Sequence, residues 1–237
     1  MLAIERTAGG HAICELRRGE RLAPRILARG AILRAAFVPT QAGPLAGDRD
    51  SARIVVGAGA ALVIEPVAAT LVLPGAARTV LRLDITVHAG GRLVLDEGPL
   101  IVAAGAEVQR RCTIELEAGA VAALRETVVL GRDGEAPGTL DGALHVTLAG
   151  RPLLHEGLRV GGTSAGEDHV ALAPGHRVVD SACLLGMRPP EPHDGFTLEG
   201  PGALLRTSGR DTAGADRAIA ATWRAWSAAA LGRYGFE

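Results

Sequence analysis

Apolar and polar residues alternate with a period of two along much of the chain. The alternation is clearest where polar side chains separate four apolar ones: Leu81, Leu83, Ile85 and Val87. This period is typical of β-strands that turn one face to a core and the other to water. Residues 120–130 are instead almost wholly apolar, which predicts a strand buried on both faces.

Short glycine-containing segments interrupt these apolar runs. Their central glycines follow one another at intervals of 31, 15 and 14 residues: Gly59, Gly90, Gly105 and Gly119. Glycine adopts a positive φ without steric penalty, so each segment can reverse the chain between two strands. The pattern favours an all-β fold class, with stacked β-sheets in an irregular β-helix or sandwich-like arrangement. We expect a single domain over residues 1–237.

A helical period of apolar residues occurs near the end of the chain, at about residues 213–231. The polar side chains at 211–212 can cap its start, and Gly232 can end it. Apolar residues recur there at spacings of three and four on one face: Ala215, Ile219, Trp223, Trp226 and Ala230. We expect Trp223 and Trp226 either to dock this helix on the sheet or to bind a partner protein.

Composition narrows the classes of function. The formal net charge of the 237 residues is −1, and the basic residues are all arginines, scattered rather than clustered. A near-neutral chain without a basic patch gives no indication of a nucleic-acid or membrane partner. Three widely separated cysteines, the lack of a signal-peptide pattern and the lack of an apolar run of about 20 residues predict a cytoplasmic protein.

Histidines offer one candidate metal site. The chain has no phosphate-binding loop, nucleophilic serine motif or metalloprotease motif, and none of its seven histidines is paired at a spacing of two or four residues: His11, His88, His145, His155, His169, His176 and His193. Residues 143–148 and 153–160 predict a hairpin across which His145 and His155 face each other. Such a pair is either a metal site or a pair of ordinary cross-strand neighbours. His169 is expected in a solvated loop.

Glu126 stands out because it interrupts the apolar run 120–130. A carboxylate in a buried strand needs a partner or a wet cavity. Arg125 cannot be that partner, since adjacent residues of a strand point to opposite faces. Two interpretations remain, an ion pair across the sheet and a functional acid. No nucleophile is combined with a base anywhere in the pattern, which predicts that the protein is not an enzyme.

Four segments, at residues 43–48, 66–70, 97–101 and 126–135, follow the order of motifs in the UreD (UreH) family of urease accessory proteins. Residues 43–48 (GPLAGD) resemble the family's G-G-L-x-x-G-D turn. Residues 66–70 (PVAAT) resemble its T-Q-A-A-T segment, with Pro-Val in place of Thr-Gln. Residues 97–101 (EGPLI) are similar to E-P-x-P-x-I-P, and residues 126–135 to W-E-x-x-x-x-G-R-x-x-x-G-E. On these motifs the chain is identified as a divergent member of the family.

The resemblance implies a maturation factor built from stacked β-sheets. Members bind the urease apoprotein and the accessory proteins UreF and UreG, and they help to deliver nickel to the urease active site as GTP is hydrolysed by UreG. The resemblance implies no tightly bound cofactor, only nickel in transit through a polar passage. The matching polar positions are Asp48, Glu126 and Glu135. Carboxylate oxygens suit transit, because a closed His/Cys cage would retain Ni²⁺.

Three interpretations follow from these patterns. The first is the urease maturation scaffold just described. The second is a metal-dependent β-barrel enzyme that uses His145, His155 and a nearby carboxylate. The third is a β-solenoid interaction module that works independently of nickel. For Asp48 a further alternative is that its side chain merely caps the turn in which it lies.

Overall fold

The computed structural model describes residues 1–161 and 172–234. Within these residues the chain is almost entirely β-structure, with one helix, α1 (Thr212–Leu231), followed by a 3-10 turn at Gly232–Tyr234. The strands are β1 (Leu2–Thr7), β2 (Gly10–Leu16), β3 (Leu22–Ala28), β4 (Leu33–Pro39), β5 (Arg49–Val56), β6 (Ala61–Ile64), β7 (Thr70–Val72), β8 (Thr79–Val87), β9 (Arg92–Val102), β10 (Glu107–Leu116), β11 (Val121–Leu130), β12 (Thr139–Leu148), β13 (Arg151–Gly161), β14 (Val178–Leu185), β15 (Phe196–Thr197) and β16 (Gly202–Gly209).

These strands form two sheets. Sheet A has the order β13-β12-β10-β8-β5-β1-β2, and sheet B has the order β15-β16-β14-β11-β9-β6-β4-β3, with β7 paired to β9. Between β5 and β12 the chain alternates between the two sheets, except that β6 is followed by β7 of the same sheet. Strands β5, β8, β10 and β12 are therefore parallel neighbours in sheet A. In sheet B, β6, β9 and β11 are parallel neighbours in the same way. This is the predicted all-β, coil-like stacking of sheets.

The glycine segments lie at the passages between the sheets. Gly59, Gly90, Gly105 and Gly119 have φ values of 61°, 66°, 73° and 76°. Each adopts the left-handed conformation that a tight reversal requires and that other residues adopt at a cost. The prediction that these glycines form the corners of the stack is confirmed.

Helix α1 covers the outer face of sheet B. It packs on β9, β11, β14 and β16, and its start and end agree with the predicted bounds to within one residue. The Asp211 side chain caps the first turn by accepting a hydrogen bond of 2.6 Å from the Gly214 N–H, and Gly232 caps the other end. Strand β11 is therefore buried between the helix and sheet A, as its apolar run predicts.

The predicted hairpin is also present. Strands β12 and β13 pair antiparallel with His145 directly opposite His155, and the reversal takes place at Ala149 and Gly150, whose φ values are 49° and 74°. Strand β13 is the edge of sheet A. In the described part of the chain, the single α-helix is not apolar enough over its length to cross a bilayer.

Candidate functional site

The space between the two sheets holds two apolar clusters rather than one. Four strands contribute residues to both clusters. The first cluster contains Leu95 of β9, Cys112 of β10, Leu124 of β11 and Cys183 of β14. The second contains Leu100, Val108, Val128 and Val179 of the same four strands. A layer of polar residues must therefore lie between the two clusters.

We call this layer the polar seam. Its six members lie on six different strands of the two sheets: Glu97 (β9), Arg110 (β10), Glu126 (β11), Glu156 (β13), Ser181 (β14) and Arg206 (β16). Their positions follow from the period of two, because each residue of β10 or β11 two places away from the seam belongs to an apolar cluster. Charged side chains of the seam therefore occupy positions at which the alternating pattern of the strands would place core residues.

Arg110 is the centre of the seam. Its guanidinium reaches across from sheet A and contacts both Glu97 and Glu126 of sheet B, with 2.9 Å between its Nη1 and Oε1 of Glu126. Burial alone would lower the pKa of Arg110, and the charges of Glu126 and Glu97 outweigh that effect and raise it. The guanidinium is therefore permanently charged, and both carboxylates have a cationic neighbour.

Glu126 forms an ion pair with Arg110 across the two sheets. An ion pair was one of the two interpretations that the sequence left open for this residue. Burial raises the pKa of its carboxyl above the ordinary value, although the Arg110 charge acts in the opposite direction. Its side chain keeps 28 % of its surface accessible even though it lies between the sheets. That surface faces a cavity, so the second requirement for a carboxylate in this strand, a wet environment, is also met.

Glu97 owes its position to a bulge in β9. Asp96 lies opposite Arg125 and Pro99 lies opposite Thr127, so Glu97 and Gly98 together face the single residue Glu126. Gly98 has a φ of 73°, which fits the left-handed position of a bulge. The extra residue bends the strand and places a second carboxylate beside Glu126. Bulges commonly re-aim a side chain in this way.

A cavity of about 140 Å³ opens on one side of the seam. Its charged lining includes the seam residues Glu97, Arg110 and Glu126, together with Arg21 and Asp50. Arg21 pairs with Asp50 at 3.4 Å and with Asp48 at 3.0 Å. The loop residues Gly43 and Pro44 also border the cavity, so the segment that resembles the family turn lies at the cavity wall.

A smaller cavity of about 30 Å³ continues on the other side of the same three seam residues. Its lining adds Glu156 and Arg206, which form an ion pair of 2.6 Å between the sheets. Arg206 also donates a hydrogen bond of 3.0 Å to the Ser181 hydroxyl. The two cavities share Glu97, Arg110 and Glu126 as a common wall, and carboxylates outnumber guanidiniums in the seam by one.

Two thiols, Cys112 and Cys183, line the smaller cavity. Burial raises the pKa of the Cys112 thiol well above its ordinary range, and it raises the pKa of Cys183 to about 12. Both thiols therefore remain protonated at neutral pH. Since the thiolate is the metal-binding form, these cysteines are poor ligands as the cavity stands.

Arg125, the neighbour of Glu126 in β11, points to the other face of sheet B. Its guanidinium binds Asp180 at 2.7 Å and Asp216 of α1 at 2.8 Å, and Asp180 also accepts a hydrogen bond of 3.2 Å from Thr127. The expectation that Arg125 cannot pair with Glu126 is confirmed. This pairing ties β11 and β14 to the helix.

The structure does not bring Asp48, Glu126 and Glu135 together. The Leu45 N–H donates to Asp48 at 2.5 Å, so Asp48 caps its own turn, and its neighbour Asp50 is the residue that reaches the larger cavity. Glu135 lies in the loop after β11, where the Arg132 N–H and Nε donate to it at 2.9 and 2.6 Å. The transit role of the three residues stays a prediction, and Glu126 is the one that faces a cavity.

The two tryptophans of α1 have different surroundings. Trp226 is fully buried, its ring lies 5.8 Å from the His193 ring in an edge-on arrangement, and it docks the helix on sheet B. Trp223 is only partly buried and packs against the same cluster, where it borders an open cavity with Arg34 and Asp96. Partner binding by this pair stays a prediction, and Trp223 retains the accessible surface that such binding requires.

The histidine pair behaves as the hairpin predicts. The ring centroids of His145 and His155 lie 4.0 Å apart with an interplanar angle of 40°. The nearest carboxylate along the same lining, Asp141, is bound by Arg111 at 3.0 Å and by Arg159 at 3.5 Å. Among the described residues, no group of three or more His, Cys, Asp and Glu side chains is arranged to hold a metal ion. His169 lies outside the described residues.

Sequence reasoning missed most of the seam, although a signal for one member was present. In a strand with a period of two, Arg110 lies on the same face as Cys112, Ile114 and Leu116. The sequence pattern alone therefore places Arg110 on an apolar face. An arginine at such a position demands buried anionic partners. Glu156 and Arg206 give no comparable signal, because their partnership depends on which strands meet across the two sheets.

Comparisons with known proteins show which family the chain resembles. A family model described as UreD urease accessory protein matches residues 21–236. "Urease accessory protein UreD 1" of Streptomyces griseus subsp. griseus is 37% identical over 231 residues, which cover 95% of this chain and 90% of that relative. "Urease accessory protein UreD 1" of Saccharopolyspora erythraea is 33% identical over 193 residues, which cover 78% of this chain and 75% of that relative. The names of these relatives describe accessory proteins and not enzymes, in agreement with the predicted non-enzymatic role. The chain therefore belongs to the UreD family of urease accessory proteins.

Proposed function

We propose that this chain is a cytoplasmic scaffold for urease maturation that binds the urease apoprotein, UreF and UreG and passes nickel through its interior towards the urease active site. Family membership supports the maturation role. The observation that carries the nickel step is the polar seam, where carboxylates and guanidiniums line two cavities that share a wall. Ordinary domains fill such a space with apolar side chains.

The chemistry of the seam suits a cargo held briefly. The ligands offered to Ni²⁺ are carboxylate oxygens and water, because the two thiols of the smaller cavity are protonated. Each seam carboxylate already pairs with a guanidinium. The negative charge left to attract a bound cation is therefore only partial. Weak oxygen coordination allows release, whereas a closed set of nitrogen and sulfur ligands would stop the ion.

Co-expression of the urease subunits with UreF, UreG and this chain tests the proposal, with urease activity and nickel content as readouts. Glu126→Gln removes one seam charge at constant size, and Glu117→Gln is the matched control at an exposed corner. We expect wild type and the control to give nickel-loaded urease, while Glu126→Gln still co-purifies with its partners and lowers the nickel content severalfold. Full urease activation without this chain would contradict the maturation role. If urease from cells with Glu126→Gln has unchanged nickel content, the result would contradict nickel transit through the seam. It would favour a scaffold that works independently of nickel.

A further inference from the structure

The hairpin of β12 and β13 carries a second place where a metal ion can bind, on the outside of the molecule. We propose that His145 and His155 form a labile surface site for a borderline divalent cation of the Ni²⁺, Cu²⁺ or Zn²⁺ type. The proposal does not depend on the internal passage, because the two imidazoles lie on the outer face of sheet A and not among the residues of the polar seam.

The geometry of the pair comes from the strand register. His145 and His155 are directly opposite in an antiparallel pair, so both rings project from the same face, and their centroids are 4.0 Å apart. Two imidazole nitrogens bound to one ion, at about 2.0–2.1 Å each, lie roughly 3 Å apart when they subtend a right angle. The observed separation allows both rings to turn a nitrogen to one ion without any change of the backbone.

The surroundings leave room for the other ligands of the ion. The pair borders an open depression of about 400 Å³ whose floor includes Gly142, Ala143 and Gly157. A Cβ added at Gly157 would have no heavy atom within 4 Å, so none of the described residues covers this part of the sheet. Both histidines are exposed. Water can therefore complete the coordination of an ion held by the two rings.

The charges nearby explain why such a site is labile. Asp141, the one carboxylate among the described residues that line the depression, is already paired with Arg111 and Arg159, so it is a weak third ligand for the ion. Imidazole is a ligand of intermediate softness that suits Ni²⁺, Cu²⁺ and Zn²⁺ better than Mg²⁺ or Ca²⁺. Two neutral nitrogens and water give reversible binding of these ions and no binding of the hard ones.

Titration of the full-length, untagged protein tests this site. We expect isothermal titration at pH 7.5 to show one equivalent of Ni²⁺ bound, with at least a tenfold loss of affinity in His145→Gln and in His155→Gln. His88→Gln is the control, because His88 is an exposed histidine that pairs with Glu117 at 2.8 Å. All three positions are accessible to solvent, so the variants are expected to fold, and circular dichroism checks that they do.

Electron paramagnetic resonance with Cu²⁺ supplies a second readout. We expect coupling to two imidazole nitrogens in wild type and to one in each single variant. Unchanged Ni²⁺ affinity in both variants, or no Cu²⁺ signal with two nitrogens, would show that the rings are only cross-strand neighbours. If the histidine site is distinct from the internal passage, Glu126→Gln leaves Ni²⁺ binding at the histidines unchanged. The two proposals can therefore fail independently of each other.

Discussion

Arg110 is the residue on which the charged interior depends most. It is the cation shared by Glu97 and Glu126, and both of those carboxylates belong to the opposite sheet. Removing one partner of a buried charge cluster leaves the remaining charges without compensation, which is far more costly than losing an exposed pair. The neighbouring Arg111 makes the comparison possible, because it points to the outer face and pairs with Asp141 there.

Arg110→Leu is therefore expected to lower the free energy of unfolding by about 3–5 kcal/mol at pH 7.5, as measured by urea denaturation. The loss should shrink at pH 5.5, because burial already raises the pKa of Glu126 and the carboxyl takes up a proton more readily once the guanidinium is gone. Arg111→Leu should cost only about 0–1 kcal/mol. Equal losses in the two variants would show that the seam is not an electrostatic unit.

Glu135 offers a prediction about pH. Hydrogen bonds from the Arg132 side chain, its backbone N–H and other donors lower the pKa of Glu135 to about 2 from an ordinary 4.5. A carboxyl whose pKa is lowered in the folded state stabilises the fold at pH values above its pKa in the unfolded state. That contribution is lost as the pH falls towards the pKa of the folded state. We expect the carboxyl to titrate near 2 by NMR, and Arg132→Gln to move its pKa up. A midpoint above 4 in wild type would contradict the pairing.

At the scale of elements, the bulge in β9 decides which side chains of sheet B face the cavity. A regular β9 would pair residue for residue with β11, and Glu97 would not share the space opposite Glu126 with a glycine. Gly98 makes the bulge possible for two reasons. Its φ is 73°, and a Cβ at this position would lie 2.8 Å from the Cβ of Pro66.

Gly98→Ala is expected to cost about 2–4 kcal/mol of stability, through left-handed strain and the contact with Pro66. Gly59→Ala is the matched control, since Gly59 has a φ of 61° but no heavy atom within 4 Å of an added Cβ. It should cost only about 1–2 kcal/mol. Thermal denaturation of both variants measures the difference. If Gly59→Ala is the more harmful change, the close approach at the bulge is not what requires glycine.

At the scale of the whole molecule, the apolar clusters join distant parts of the chain. The first cluster extends from Leu2 to Leu185 and includes residues of both sheets, and α1 packs on sheet B through a third cluster. A core shared so widely favours unfolding as one unit. The two tryptophans of the chain both lie in α1, so fluorescence reports on the helix, while far-ultraviolet circular dichroism reports mainly on the sheets.

We expect the fluorescence and circular dichroism transitions in urea to coincide. Asp211→Ala removes the helix cap and should shift both midpoints together, by an amount equivalent to about 1 kcal/mol. Fluorescence that changes at lower urea than the sheet signal would show that α1 unfolds separately. The prediction of one domain over residues 1–237 would then be wrong.

The sequence predicts those features that depend on near neighbours. The period of two, the corner glycines, the capped helix and the hairpin of His145 and His155 follow from local conformational preference, and each is present. The seam depends on contacts between strands far apart in the chain, such as Glu156 with Arg206, which no local pattern encodes. Glu126 and Arg110 lie between these cases, since the alternating pattern places both on apolar faces but does not show that they pair with each other.

The pairing of strand β11 has a consequence in genetic terms. Adjacent codons specify Arg125, which holds helix α1 through Asp216, and Glu126, which faces the cavity. A single-codon insertion or deletion upstream in this strand would exchange the two faces, burying a guanidinium in the interior and pointing a carboxylate at the aspartates beneath the helix. Insertions of two codons would keep each charge on its own side. Length changes within β11 should therefore be tolerated in even numbers before odd ones.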